Sequence, residues 1–149
     1  MRGQRRTTAN DPAQRVPPRR TDPTRVRGDR AETLALQYLQ ARGLRLVARN
    51  VRSPGRGGGE VDLIMAEPDG TLVFVEVRQR SSDAHGGAAA SIGWAKQRRI
   101  VFAARHFLAR LHSVPPCRFD AVLVDGELER AQAPRIEWIR AAFEAGAWD

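Results

Sequence analysis

Two acidic residues, Asp62 and Glu76, are spaced so that one tight turn between them places both carboxylates side by side. They belong to the segments Glu60-Val61-Asp62 and Glu76-Val77-Arg78. Val61–Ala66 and Leu72–Arg78 are rich in β-branched and apolar residues, which predicts two strands. Pro68-Asp69-Gly70 between them suits a three-residue hairpin loop, with Pro opening a type I turn and Gly in the left-handed position after it. Glu67 and Thr71 then face each other across the loop. Counting back along both strands sets Asp62 opposite Glu76 and Glu60 opposite Arg78. Directly opposed residues share a face of a sheet, so Val61, Leu63, Val75 and Val77 are expected to turn the other way, into the core.

Opposed carboxylates repel, at a cost of up to about 1 kcal/mol when exposed and more when buried. A divalent cation removes that repulsion, and Mg²⁺ favours one or two carboxylates completed by phosphate oxygens and water. The competing reading is a solvated hairpin face on which Glu60 and Arg78 form a surface ion pair of little energetic weight. A four-residue loop would shift the register and separate the two acids.

Other polar side chains are aimed at the same region. The stretch Asp29–Arg42 has helical periodicity, with Ala31, Leu34, Ala35, Tyr38 and Leu39 on one face. Glu32 falls inside that apolar arc, where a carboxylate needs a partner; a capping role in a first helical turn is the rival explanation. A second helix, about Trp94–His112, carries a stripe of Ile100, Ala103, Ala104, Phe107, Leu108 and Leu111. Lys96 and Gln97 extend the stripe at its N-terminal turn, so they are expected to point toward the sheet, although Lys96 can also snorkel along the helix edge. Lys96 is the single lysine beside 24 arginines.

The elements that must hold these groups follow from the rest of the chain. Residues 1–27 are Pro-rich and aperiodic, which predicts a disordered arm. Gly43 ends the first helix, and Leu44–Val51 reads as a strand. Ser53–Gly59 is a glycine-rich loop, and Ser81–Gly93 a small-residue, mobile one. Phe119–Val124 is a strand, Asp125-Gly126 a turn, and a short strand near Ile136 and a helical turn near Ala142 follow. The order αβββαβ is that of an α/β domain over residues 28–149.

Composition narrows the function. The arm holds eight Arg and two Asp, a net of +6, and the remainder 17 basic and 15 acidic residues, a net of +2. The basic arm either adds sequence-independent attraction to phosphates or is a solubilising extension. No run of about 18 apolar residues is present to span a membrane, and the basic N-terminus has no apolar signal core, so a cytoplasmic location is expected. Cys117 is alone, which excludes an internal disulfide and a multi-cysteine zinc site. His85, His106 and His112 show no ligand spacing, and Trp94, Trp138 and Trp148 read as packing residues rather than base-stacking platforms.

Several spaced motifs occur in one order: Gly28-Asp29-Arg30-Ala31-Glu32, Gly59-Glu60-Val61-Asp62-Leu63-Ile64, Val73-Phe74-Val75-Glu76-Val77-Arg78, Gly86-Gly87-Ala88-Ala89-Ala90-Ser91, Lys96-Gln97-Arg98 and Arg118-Phe119-Asp120. From about residue 28 to the C-terminus the chain resembles the YraN-like family of bacterial proteins, itself similar to the PD-(D/E)XK, restriction-endonuclease-like superfamily. The resemblance implies a mixed central sheet flanked by helices, with Glu32, Asp62 and Glu76 as ligands of Mg²⁺ or Mn²⁺. The pattern's lysine falls on Arg78, a departure, since a guanidinium stays protonated and cannot act as a base. Lys96 is its plausible substitute, with Glu60 and Gln97 in supporting places. Val61 also stands where the pattern has Pro.

The activity to expect is metal-assisted hydrolysis of phosphodiester bonds in nucleic acid, DNA first among them, including branched or repair intermediates. A module that binds nucleic acid without turnover is the alternative. A pure protein-interaction domain would leave the inward-facing Glu32 and Lys96 unexplained.

Overall fold

The computed structural model describes residues 23–80, 92–125 and 133–148. The rest of the expected arm, most of the Ser81–Gly93 loop and Gly126 of the expected turn lie outside the described residues.

Helix α1 (Pro23–Ala41) leads into a meander of β1 (Arg45–Arg52), β2 (Glu60–Ala66) and β3 (Leu72–Arg80). Helix α2 (Trp94–Leu108) then crosses to β4 (Cys117–Asp125), followed by β5 (Arg135–Phe143) and a 3₁₀ turn at Ala145–Trp148. The strands form one five-stranded sheet in the order β1-β2-β3-β4-β5. All neighbours are antiparallel except β3 and β4, which run parallel across the α2 crossover. This is the αβββαβ arrangement of a mixed α/β sheet.

α1 starts earlier than its periodicity predicts. Proline is tolerated in a first turn because its missing N–H would have no helical partner there, so the helix runs back to Pro23. Glu32 is therefore in the middle of α1, and a first-turn capping role for it is excluded. At the other end Gly43, with φ of 92°, lets the chain close a Schellman turn: Leu44 N–H donates to Leu39 O at 3.1 Å and Gly43 N–H to Gln40 O at 3.1 Å. Ala31, Ala35 and Leu39 are buried against Leu63, Met65, Val73 and Val75 on one face of the sheet. On the other face Ile100, Val101, Ala103 and Ala104 of α2 cover Ile64, Ala66, Leu72 and Phe74. Strands covered on both faces read as unbroken apolar runs, as Val73-Phe74-Val75 and Ala121-Val122-Leu123-Val124 do. α2 ends at Leu108, so Leu111 leaves the stripe and is 37% exposed.

The hairpin forms as its residues dictate. Glu67 N–H donates to Thr71 O and Gly70 N–H to Glu67 O, both at 2.9 Å, and Gly70 takes a φ of 92°. Asp69 fixes the loop by accepting the Thr71 N–H at 2.9 Å. The register runs from Ala66↔Leu72 to Leu63↔Val75, the one in which Asp62 comes next opposite Glu76.

Other expectations are corrected. Val61 does not join Leu63 and Val75 but packs with Ile64 and Phe74 beneath α2. Its partner on β1, Val51, and Ala48 three residues earlier share that core, because Asn50 between them has a φ of 51° and reverses the alternation. β5 is a nine-residue strand that includes Ala142, and the closing turn comes later, at Ala145–Trp148. Trp94 is 55% exposed, at the edge of α2 and not in the core. Among the described residues no helix is long and apolar enough to cross a membrane.

Candidate metal centre

The β2–β3 ladder stops at Leu63↔Val75, although β2 begins at Glu60 and β3 continues to Arg80. At this fork the Asp62 side chain takes over the pairing: its Oδ2 accepts the Val77 N–H at 2.8 Å. Glu76 is held in the middle of the sheet by β4, where its register partner is Ala121, and is only 6% exposed. From α2, Lys96 Nζ reaches Glu76 Oε1 at 3.2 Å. Asp62, Glu76 and Lys96 thus come together from three elements.

Burial, and then the charge of Glu76, push the Asp62 carboxyl up to about 7. A hydrogen bond between the two carboxyls, possible when one is protonated, raises it further, while the Val77 amide and the Lys96 ammonium act in the opposite sense. The sign for stability follows. A carboxyl raised in the folded state binds its proton more tightly there, so stability falls as pH rises from the ordinary Asp range toward about 7. Above that the full repulsion remains. In a chelating buffer at pH 8, Asp62→Asn is expected to raise the melting temperature by ~2–8 °C, with the gain vanishing near pH 4. A thermal melt series across that range checks it, and an equal gain at both ends would refute it.

Glu32 approaches Asp62 from the α1 side. Its carboxyl is also raised, by burial first and the Asp62 charge second, against a hydrogen bond from the Asn50 side chain and the charge of Arg49. Arg49 Nε lies 3.5 Å from Glu32 Oε2, and its Nη2 donates to Thr33 Oγ1 at 2.9 Å and Asp29 O at 3.1 Å. Arg49 and Asn50 are contributors that sequence reasoning missed; an Asn interrupting an apolar strand, tolerant of the left-handed conformation, was the available signal.

The remaining expected residues sit as follows. Arg78 is half-buried, two residues beyond Glu76 and so on its side of the strand. Glu60 pairs with its β1 neighbour Arg52 at 3.5 Å, and the β2–β3 ladder ends before it. Gln97 turns back to the start of α2 and donates to Ile92 O at 2.8 Å, which fixes the chain leading into the helix.

The donor set fits a hard divalent cation in part. Glu76 Oε2 is buried and accepts no hydrogen bond, an arrangement that wastes a strong acceptor unless something positive meets it; Glu32 Oε2 also accepts none, but the Arg49 guanidinium lies 3.5 Å from it. Among the described residues, however, no three Asp, Glu, His or Cys side chains converge into one cage. Asp62 and Glu76 are the pair close enough for the charge of one to raise the carboxyl of the other, and two protein carboxylates suit Mg²⁺ with water and phosphate oxygens completing its shell.

Beside this pair opens a polar cleft of about 300 Å³ between the Arg52–Glu60 segment and α2, lined by Arg52, Glu60, Lys96 and Arg99 among others. Its wall depends on one close approach. A Cβ on Gly59 would lie 1.7 Å from the Arg99 carbonyl oxygen, and Ser53 Oγ accepts the Gly59 N–H at 2.7 Å to hold the strand there. Gly59→Ala must push α2 outward, and with it Lys96 one turn earlier. A loss of about 2–3 kcal/mol in urea unfolding is expected; unchanged stability would show that α2 yields without strain.

One rung before the Glu76↔Ala121 pair, on β4, Asp120 is fully buried and accepts from Arg118 Nε and Nη2 at 2.8 and 3.0 Å, Trp138 Nε1 at 2.9 Å and the Ala141 N–H at 2.9 Å. Glu67 in turn accepts from Arg118 at 2.8 Å. Every oxygen of Asp120 is satisfied by fixed donors, so this buried acid joins β4 to β5 and has no lone pair directed at a ligand.

Comparison with known proteins agrees with the motif order. Residues 31–124 match the model of the family described as "Uncharacterised protein family UPF0102". A UPF0102 protein of Paracidovorax citrulli is 65% identical over 123 residues, covering 83% of this chain and 86% of the relative. One of Polaromonas naphthalenivorans is 63% identical over 124 residues, covering 82% and 81%. Another, of Cupriavidus taiwanensis, is 55% identical over 127 residues, covering 85% and 89%. The chain belongs to the UPF0102, YraN-like family.

Proposed function

We propose that this protein hydrolyses phosphodiester bonds in nucleic acid, DNA foremost, with Mg²⁺ or Mn²⁺ held by Asp62 and Glu76. The observation that carries this reading is the buried, opposed carboxylate pair with an unsatisfied Glu76 oxygen and a lysine ammonium 3.2 Å away. Asp62 also closes the fork through the Val77 N–H, but that bond needs no second buried carboxylate beside it, and repulsion and desolvation both oppose one.

When bound, the cation supplies Lewis acidity toward a phosphoryl oxygen and lowers the pKa of water. The protein's own groups do the rest. Asp62 is held in place by the Val77 amide, so its free oxygen keeps a fixed direction. Glu32, within the field of Asp62, acts through water as a third acidic group. Lys96 offers a donor where negative charge develops on the phosphate. Arg52 and Arg99 line the route by which a phosphate backbone reaches the pair.

The test is cleavage of branched, flapped and single-stranded DNA with Mg²⁺ or Mn²⁺ by the wild type, Asp62→Ala and Glu76→Ala. Wild-type protein that leaves every substrate intact, or cleavage that survives both substitutions, defeats the proposal. Arg78, standing where the superfamily pattern has Lys, favours a second reading in which the site binds nucleic acid without turnover. That reading expects equal binding in chelator and in Mg²⁺.

A further inference from the structure

The outer face of α2 carries a repeating pattern that the carboxylate site does not use. Trp94, Arg98, Phe102 and Arg105 fall within an arc of ~80° on the helix. Trp94 is 55% exposed and Phe102 52%, large values for such side chains. The Arg98 guanidinium lies 4.7 Å from the centre of the Trp94 ring, so it both stacks and offers charge. Trp94, Arg98 and Phe102 line a shallow cleft of about 330 Å³ with Gly57, Ala95 and Arg99, and Arg105 lines a smaller one beside it with Arg98 and Phe102. Arg99 also lines the polar cleft that leads to Lys96. One arginine therefore joins the aromatic ledge to the carboxylate site.

We propose that this ledge holds an unpaired nucleic-acid strand, its bases stacked on Trp94 and Phe102 and its phosphates met by Arg98, Arg99 and Arg105. The alternation decides the occupant. A protein partner would favour a contiguous apolar patch, whereas here each ring is flanked by a cation. A strand that carries a flat apolar face and one negative charge per unit matches that pattern. In a continuous duplex the bases are stacked on one another and cannot use the rings. The substrate class assigned is thus single-stranded, flapped or branched nucleic acid. The inference rests on the nucleic-acid reading of the neighbouring site but not on its turnover.

The experiment is fluorescence anisotropy in chelator with a labelled oligothymidylate and a duplex of equal length. Trp94→Ala and Phe102→Ala are each expected to weaken oligothymidylate binding ~5- to 150-fold, the range of one lost base–aromatic stack, and duplex binding less than about 2-fold. Trp94→Phe and Phe102→Tyr should restore most of the affinity, with melting temperatures of all variants near the wild type. Wild type that prefers duplex, or alanine variants that bind the oligothymidylate like wild type, overturns the ledge. So does a dimer, seen by sedimentation, that Phe102→Ala dissociates without changing oligonucleotide affinity. The two proposals separate cleanly. Cleavage that depends on Asp62 and Glu76 but is indifferent to Trp94 and Phe102 defeats only the ledge. Binding through the ledge, without cleavage, defeats only the nuclease.

Discussion

Glu76→Gln is expected to reduce Mg²⁺-dependent DNA cleavage by at least ~100-fold, since loss of even an outer-shell partner of a metal ligand costs 10–100-fold. Glutamine keeps the size of the side chain, so the fold should persist. The reasoning is electrostatic: Glu76 is buried with one oxygen unsatisfied, and removing its charge removes half of the pair that would hold the cation. Asp62→Asn should match it, with one difference. The amide oxygen of Asn can still accept the Val77 N–H, so the fork between β2 and β3 stays closed. Lys96 separates two roles. Lys96→Ala should cost ~10²–10³-fold if the ammonium stabilises developing charge, and Lys96→Arg should recover to within about 10-fold of wild type, because charge is kept although the proton cannot leave. Failure of Arg to recover activity would make Lys96 a proton-transfer group instead. Rates with Mg²⁺ and with Mn²⁺, measured on the same substrate, check all four variants.

The second large effect is on stability. Asp120→Ala is expected to cost ~3–5 kcal/mol, the usual result of breaking a buried, hydrogen-bonded charge pair from one side. The donors of Trp138 and Ala141 lose their acceptor together, and Arg118 keeps only Glu67. Ala141 has a φ of 49°, an unfavourable conformation for a residue with a Cβ, held by the N–H that Asp120 accepts. Loss of the carboxylate removes what holds that backbone. Chemical denaturation should show the shift, with binding of metal unaffected per folded molecule. A change below about 1 kcal/mol would mean that water replaces the carboxylate at no net cost.

What could be read from residues alone was set by local chemistry. Pro68-Asp69-Gly70 dictates a turn whose geometry fixes register, so the pairing from Ala66↔Leu72 to Leu63↔Val75 was legible in the sequence, although the ladder stops one rung short of Asp62 and Glu76. The helical wheel likewise located Glu32 and Lys96, because a period of 3.6 residues is a property of the chain itself. It could not supply their partners. Arg49 meets Glu32 only because β1 lies beside α1, and Glu60 meets Arg52 across a strand pair that the hairpin count does not include. The inverted facing of Val61 depends on Asn50, one left-handed residue that no periodicity signals. β5 escaped for a similar reason, with its alternation broken at Ala141. For Trp94, core and edge packing could not be separated by residue type alone, and the packed position of α2 leaves it at the edge, 55% exposed beside Arg98.

The parallel pairing of β3 with β4 has a kinetic meaning. Antiparallel neighbours can zip from a short turn, and β1, β2 and β3 do so over local sequence distances. Leu72↔Cys117 and the rungs after it join residues on either side of the whole α2 crossover, and such non-local closures are slow because chain entropy must be surrendered first. The hairpin that brings Asp62 near Glu76 is local, while Lys96 comes from the start of the crossover helix and the β4 neighbour of Glu76 from beyond its end. Until that helix packs, the two acids are opposed without their lysine. The charge that offsets their repulsion comes from the crossover helix, and the strand beyond it buries Glu76 rather than relieving it.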